Sequence, residues 1–265
     1  MIIIGELING TREAVRRAIV ARDEAAIAEL AIRQTEAGAN YLDCNVGTVG
    51  EAEVEQMAWL VGVVSAAVDA PVCIDTASPD AMRVGLAAWQ GTEPPICNSV
   101  TLERGRLDVF LPIIAGRHAR VVALLMTDEG VPQGVEARVD AARRLVEVLE
   151  GAGVARDDIL IDPIVTPLSV DADGARVTMD AIAEIMSALP GCHTVCGVSN
   201  VSYGLPARGL LNRVFLCQAI RSGLDAAIID PLDRQLMADI YAAEALAGRD
   251  EWCAKYLQAY RSGVL

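Results

Sequence analysis

Val72-Cys73-Ile74-Asp75-Thr76 and Ile159-Leu160-Ile161-Asp162-Pro163 have the same construction: a short apolar run, an aspartate, then a residue that turns the chain. An apolar run of this length, bounded by turn signals, predicts a strand buried on both faces. Working outward from these two, similar runs recur near residues 2–6, 40–46, 95–99, 120–126, 194–198 and 225–229. Helical spacing fills the gaps. Val54, Met57, Ala58, Val61, Val64 and Ser65 share one side of a helix over 51–68, and Ala141, Ala142, Leu145, Val146 and Leu149 do so over 135–149. Gly38, Gly151 and Gly153 mark helix ends, Asp233 to Ala247 forms the eighth helix, and 250–262 adds a short terminal one. Strands alternating with amphipathic helices make parallel βαβ units, and eight such units predict an α/β fold, a single closed (βα)8 TIM barrel over residues 1–265. The rival, an open doubly wound sheet, calls for a glycine-rich phosphate loop after the first strand. Gly5-Glu6-Leu7-Ile8-Asn9-Gly10 does not supply one.

The residues that end the strands carry the chemistry. Glu6 and Asn9 follow the first run, Asp43 and Asn45 the second, Asp75 the third, Asn98 and Ser99 the fourth. Asp162 ends the sixth, Ser199 and Asn200 follow the seventh, and Asp230 the eighth. In a parallel barrel these ends converge on one face, so the residues predict one pocket of acceptors and amides without internal cations. Such a pocket suits a neutral ligand rich in N–H donors, such as a pterin or guanine-like edge, because a carboxylate accepts from an amino group and the ring N–H beside it. Two other readings stay open. Any one of these residues could cap the following helix, as Ser78 and Asp80 are expected to do. The acids could also gather magnesium.

Composition narrows the classes. The net charge of -14 argues against a nucleic-acid binder. Lys255 is the sole lysine, which excludes a Schiff-base lysine in the barrel and a Walker A loop. Seven cysteines without a CxxC pair read as buried thiols in a reducing cytoplasm, with a zinc site at Cys192, His193 and Cys196 as the weaker alternative. The amino terminus does not read as a signal peptide, and no apolar stretch reaches the roughly 20 residues of a membrane span, so a soluble cytoplasmic protein is expected.

Ile4-Gly5-Glu6-Leu7-Ile8-Asn9-Gly10, Asp43-Cys44-Asn45-Val46-Gly47, Asp75-Thr76, Asn98-Ser99, Ile161-Asp162-Pro163, Gly197-Val198-Ser199-Asn200-Val201-Ser202 and Gly223-Leu224-Asp225-Ala226-Ala227-Ile228 form an ordered set. Through them, over essentially the whole chain, the sequence resembles the pterin-binding methyltransferases that act between methyltetrahydrofolate and a corrinoid protein. The resemblance implies a pterin-binding barrel of the dihydropteroate synthase-like kind. It implies that Asp75, Asn98 and Asp162 hold the pterin edge, that Asn200 is catalytic and faces the methyl-bearing N5, and that Gly197 and Ser199 shape the same loop. Arg208 matches a family arginine near the pocket mouth, and Glu6, Asn9, Asp43 and Asn45 support the pocket. Tyr203 to Pro206 departs from the family pattern, and His193, without a role there, reads as a surface or loop histidine.

The resemblance further implies 5-methyltetrahydrofolate or tetrahydrofolate as substrate and a corrinoid (cobalamin) supplied by a partner protein, the corrinoid iron–sulfur protein among the candidates. It implies a homodimer and no metal site. Two alternatives remain beside this reading. A dihydropteroate synthase-like enzyme would use a lysine near the late strand, where this chain has Ser199-Asn200. A non-catalytic pterin-binding protein would bind the folate and transfer nothing.

Overall fold

A computed structural model describes residues 1–47 and 51–265. Eight strands close in sequence order into a parallel barrel. They are β1 (Ile2–Gly5), β2 (Tyr41–Cys44), β3 (Val72–Asp75), β4 (Ile96–Val100), β5 (Arg120–Leu124), β6 (Ile159–Asp162), β7 (His193–Gly197) and β8 (Ala226–Ile229), with β8 pairing back onto β1. Each lies within a few residues of its sequence expectation, and the barrel is the one expected.

Side-chain alternation explains the layout. One inward residue from each strand fills the barrel: Ile4, Tyr41, Cys73, Ile96, Val122, Leu160, Val195 and Ala226 form one contiguous cluster. The residues between them, such as Leu42, Ile74, Val121 and Ile161, point outward and are fully buried under the helices. Both faces of every strand are therefore apolar, which is why the runs carry no polar alternation.

The outer ring consists of α1 (Glu13–Ala21), α2 (Glu24–Glu36), α3 (Glu51–Ala67), α4 (Pro79–Ala88), α5 (Arg104–Ile114), α6 (Gly134–Gly151), α7 (Gly174–Ala188), α8 (Arg208–Ser222) and α9 (Arg234–Leu246). Helix α10 (Ala254–Arg261) follows a 3-10 turn at Glu251–Cys253. The expected face of α6 is buried; on α3 Met57, Val61 and Val64 of the expected face are buried, Val54, Ala58 and Ser65 only partly, and Leu60 joins them. Gly38 and Gly153 take positive φ just past their helices, whereas Gly151 stays inside α6.

Two local expectations change. Ser78 caps α4 by accepting from the Ala81 N–H at 3.2 Å, but Asp80 pairs with Arg83 one turn further along instead of capping. His193 is neither loop nor free surface: it opens β7, half-buried, between Asp225 and Asp157. Cys192 and Cys196 are buried beside it as free thiols. Among the described residues no three His, Cys, Asp or Glu side chains are grouped as metal ligands would be, and no helix is long and apolar enough to cross a membrane.

Candidate active site

The residue two places beyond each interior-layer position points inward again, at the carboxyl end of the barrel. On β1 to β4 these are Glu6, Asp43, Asp75 and Asn98. On β6 to β8 they are Asp162, Gly197 and Ile228. All seven line one cavity of about 390 Å³. The apolar plug below them is the floor, and the polar ring is the first layer open to a ligand.

The loops complete the wall. Asn9 bridges to Asn45, extending the β1–β2 pairing beyond the strands, with Gly10 N–H donating to Asn45 O at 2.7 Å. Gly10 is required there, because a Cβ would fall 2.0 Å from the Val46 carbonyl oxygen. Asn9, Thr11 and Arg12 thereby join the cavity lining. Asn45 stands behind it: its Nδ2 donates to Asp75 Oδ2 at 2.8 Å, and its Oδ1 accepts from Gly47 N–H at 2.7 Å.

After β7 the chain enters a 3-10 turn, Val198–Ser202. It puts Ser199 and the exposed Asn200 on the cavity wall. The Asn200 amide folds back over Gly197, close to where a Cβ would stand. Arg208, at the start of α8, fixes this turn from outside: Nη2 donates to Ser199 O at 2.7 Å and Nε to Ser202 Oγ at 3.1 Å. Arg208 lines a neighbouring depression of about 280 Å³ that shares Glu6, Arg12 and Ser199 with the main cavity. Among the sequence candidates, then, nine line the cavity directly, Asn45 supports Asp75, and Arg208 supports the turn bearing Asn200; Asp230 lines the neighbouring depression instead, and Ser99 is buried outside the cavity lining.

Burial sets the electrostatics. The Asp162 carboxyl is pushed up to about 7 by burial, against the Ile164 N–H and the charge of Arg138, which both favour its ionised form. Its Oδ1 accepts from Ile164 N–H at 2.8 Å, which leaves Oδ2 for a ligand. Asp75 is raised by burial in spite of the Asn45 amide. Asp43, 2% exposed, is raised well above the usual range by burial and then by the charge of Asp75. Glu6 is raised by burial, partly offset by Arg12.

The expectation of a pocket without internal cations is corrected. Arg12 pairs with Glu6 at 3.0 Å inside the cavity lining. Arg138, 3% exposed on α6, stands behind Asp162 and donates to Ile164 O, Thr178 Oγ1, Thr166 Oγ1 and Pro132 O. Arg12 stands in the β1–α1 loop just ahead of α1, on the same end of the barrel as the acids, so its place in that loop could have found it. Arg138 sits among the apolar residues of a helix face, and only its place on that face signals burial.

The comparisons with known proteins fit this geometry. The family model described as pterin binding enzyme matches residues 5–230. A methylcorrinoid:tetrahydrofolate methyltransferase of Eubacterium limosum is 37% identical over 100% of this chain and 98% of its own. A methionine synthase of Mycobacterium leprae is 33% identical over 86% of this chain, which spans only 20% of that larger protein. Among solved structures, dihydropteroate synthase of Xanthomonas albilineans superposes with a TM-score of 0.69 at 20% identity, covering 93% of this chain and 92% of that one, which is a likeness of fold. With the matched segment running from the end of β1 to the residue after β8, the chain belongs to the pterin-binding enzymes, in the methyltransferase family that the Eubacterium limosum protein represents.

Proposed function

We propose that this enzyme moves a methyl group between N5 of 5-methyltetrahydrofolate and the cobalt of a corrinoid carried by a separate protein. The observation that carries the reading is the polar ring at the carboxyl end of the barrel. Asp75 and Asp162 offer carboxylate oxygens, Asn98 stands between them in strand order, and Asn200 closes the wall above Gly197. A pterin edge presents an amino group and ring N–H groups to accept and a carbonyl oxygen to satisfy, and this mixture of acceptors and amides suits it. The likeness to a protein named for methylcorrinoid and tetrahydrofolate supplies the two substrates.

In this reading the enzyme positions and the substrates react. Co(I) attacks the methyl carbon in line with the C–N bond. The bonding pair returns to N5 and cobalt becomes methyl-Co(III). N5 is a poor leaving group as an amide anion and a good one as an amine, so it must gain a proton in the course of transfer. Asn200 has no proton to give at neutral pH, but its carbonyl oxygen accepts from a protonated N5 and stabilises that form. In the other direction N5 of tetrahydrofolate attacks the methyl group, cobalt leaves as Co(I), and N5 releases its proton.

The corrinoid is assigned to a partner because the methylcorrinoid:tetrahydrofolate methyltransferase that this chain resembles is matched over 98% of its own length by this barrel. The cavity opens at the barrel mouth, where a carrier protein can bring cobalt to N5. The test is direct. Mixing the protein with Co(I) cobalamin and 5-methyltetrahydrofolate should convert the Co(I) spectrum to that of methylcobalamin. Folate binding without any spectral change would reject methyl transfer and leave a binding protein.

A further inference from the structure

Two neighbouring carboxyl groups of the polar ring have unequal surroundings. In the β2–β3 ladder Asp43 lies opposite Cys73, two residues before Asp75, so within the polar ring it sits deeper than Asp75. Asp75 is half-buried and its Oδ2 accepts from Asn45 Nδ2 at 2.8 Å. Asp43 is 2% exposed, and its Oδ1 is buried with no hydrogen-bond partner. The Cys73 thiol and the Asn98 amide are its hydrogen-bonding neighbours.

We propose that Asp43 is a positioning residue that carries the proton of the Asp43–Asp75 pair, so that Asp75 meets the N–H donors of the pterin as an anion. The inference rests on the pterin reading above and goes one step beyond it. Two carboxyl groups this close in a water-poor site share their ionisation, and the first charge settles where donors await it. Asn45 supplies a donor to Asp75. Asp43 has the Cys73 thiol and the Asn98 amide beside it, but its buried Oδ1 has no partner, so a charge there would go only partly compensated.

The surroundings of Asp43 reinforce this division. The titratable groups facing the pair are Glu6 on β1, Cys44 on β2, Cys73 on β3 and Glu53 on α3. None is a cation. Burial and the Asp75 charge both hold Asp43 in its neutral form. Its neutral form also spares the site a second negative charge beside the one the ligand needs.

Three measurements test the proposal on the intact protein. Infrared difference spectra at about pH 9, above the Asp162 midpoint of about 7, without ligand, should show a protonated carboxylic acid band in wild type that is missing from Asp43→Asn and kept in Asp75→Asn. With aspartate carboxyls labelled with carbon-13, wild type should keep one resonance at the protonated position at pH values where Asp162 has already titrated. This arm needs no variant. For tetrahydrofolate binding, Asp43→Asn mimics the neutral acid and should cost clearly less than Asp75→Asn, which should lose about tenfold or more.

An unchanged acid band in Asp43→Asn, or a fully ionised set of aspartates in the labelled protein, would overturn the assignment. So would a folded Asp43→Asn protein that loses as much affinity as Asp75→Asn. If wild type itself fails to bind tetrahydrofolate, the pterin reading falls, while the infrared and carbon-13 results still decide which aspartate holds the proton.

Discussion

The Asn200 amide nitrogen lies 3.1 Å from the point where a Cβ on Gly197 would stand. The last residue of β7 thus makes room for the side chain that faces the proposed N5. Gly197 has φ -75°, which any residue adopts, so Gly197→Ala should fold normally and act only by shifting Asn200 a few tenths of an ångström. Misplacing a group that acts in the transition state costs rate more than affinity, so kcat for methyl transfer should fall about tenfold while the Kd for 5-methyltetrahydrofolate changes less. Single-turnover transfer to Co(I) cobalamin measures this, and an unchanged rate would show that Gly197 does not set the Asn200 position.

Removing the Asn200 amide should be more severe. Asn200→Ala keeps the carboxylate ring and the Arg208 clamp on the Ser199 carbonyl. It loses the acceptor for a protonated N5. Transfer should slow by about 100-fold or more, within the range of assisted proton transfer, with folate affinity largely kept. Equilibrium binding beside single-turnover transfer separates the two effects, and a wild-type transfer rate would remove Asn200 from catalysis.

The barrel was legible because strands buried on both faces leave short, pure apolar runs such as Val72-Cys73-Ile74. The polar ring was legible for a related reason: Asp75 and Asp162 break such runs at the end where the barrel opens. What single residues did not disclose was depth. Asp43 and Asp75 look alike in sequence, yet the stagger of β2 against β3 buries one and half-opens the other. Asn45, Arg208 and Arg138 act on neighbouring groups through contacts between distant segments, which no local pattern encodes. His193 reads as a loop or surface residue because its partners, Asp225 and Asp157, come from other parts of the chain.

Asp162 should make the empty protein less stable as pH rises. Its folded value of about 7 stands above the ordinary 3.8. Between those values the folded state keeps a proton that the unfolded chain gives up, so stability falls with rising pH across that window. Asp43, Asp75 and Glu6 are raised too and act with the same sign. Asp162→Asn keeps an acceptor for Ile164 N–H and removes the charge. It should stabilise the protein at pH 8 by up to roughly 4 kcal/mol and much less at pH 4, while weakening tetrahydrofolate binding. Urea unfolding at both pH values is the measurement, and an equal effect at each would contradict the linkage.

Arg138 should matter to both the fold and the pocket. It holds the β6–α7 loop through Ile164 O at 3.1 Å, where Ile164 takes φ +64°, a conformation unfavourable for a β-branched residue. Arg138→Met fills similar volume but strands several buried acceptors, so a loss of about 2–4 kcal/mol is expected. Without the cation behind it, Asp162 should ionise less readily, moving the pH midpoint of folate binding upward. Chemical denaturation and a binding pH series read these separately, and a variant as stable as wild type would show that Arg138 is dispensable.

At the other end of the barrel, His193 should give stability with the opposite pH sign. Its Nδ1 lies 2.6 Å from Asp225 Oδ2 and its Nε2 3.2 Å from Asp157 Oδ1, so both ring nitrogens face carboxylates. The bond to Asp225, with the charges of both carboxylates, raises the imidazole above its usual 6.5. That stabilisation is fully present below about 6.5 and is lost as pH rises through the raised folded value. His193→Gln should therefore cost roughly 1–2 kcal/mol at pH 6 and less at pH 9. Methyl transfer should be unaffected, because His193 begins β7 while Gly197 and Asn200 lie at and beyond its far end. Thermal unfolding at the two pH values beside the transfer assay provides the check, and a transfer defect in a fully folded variant would tie this end of the barrel to the reaction.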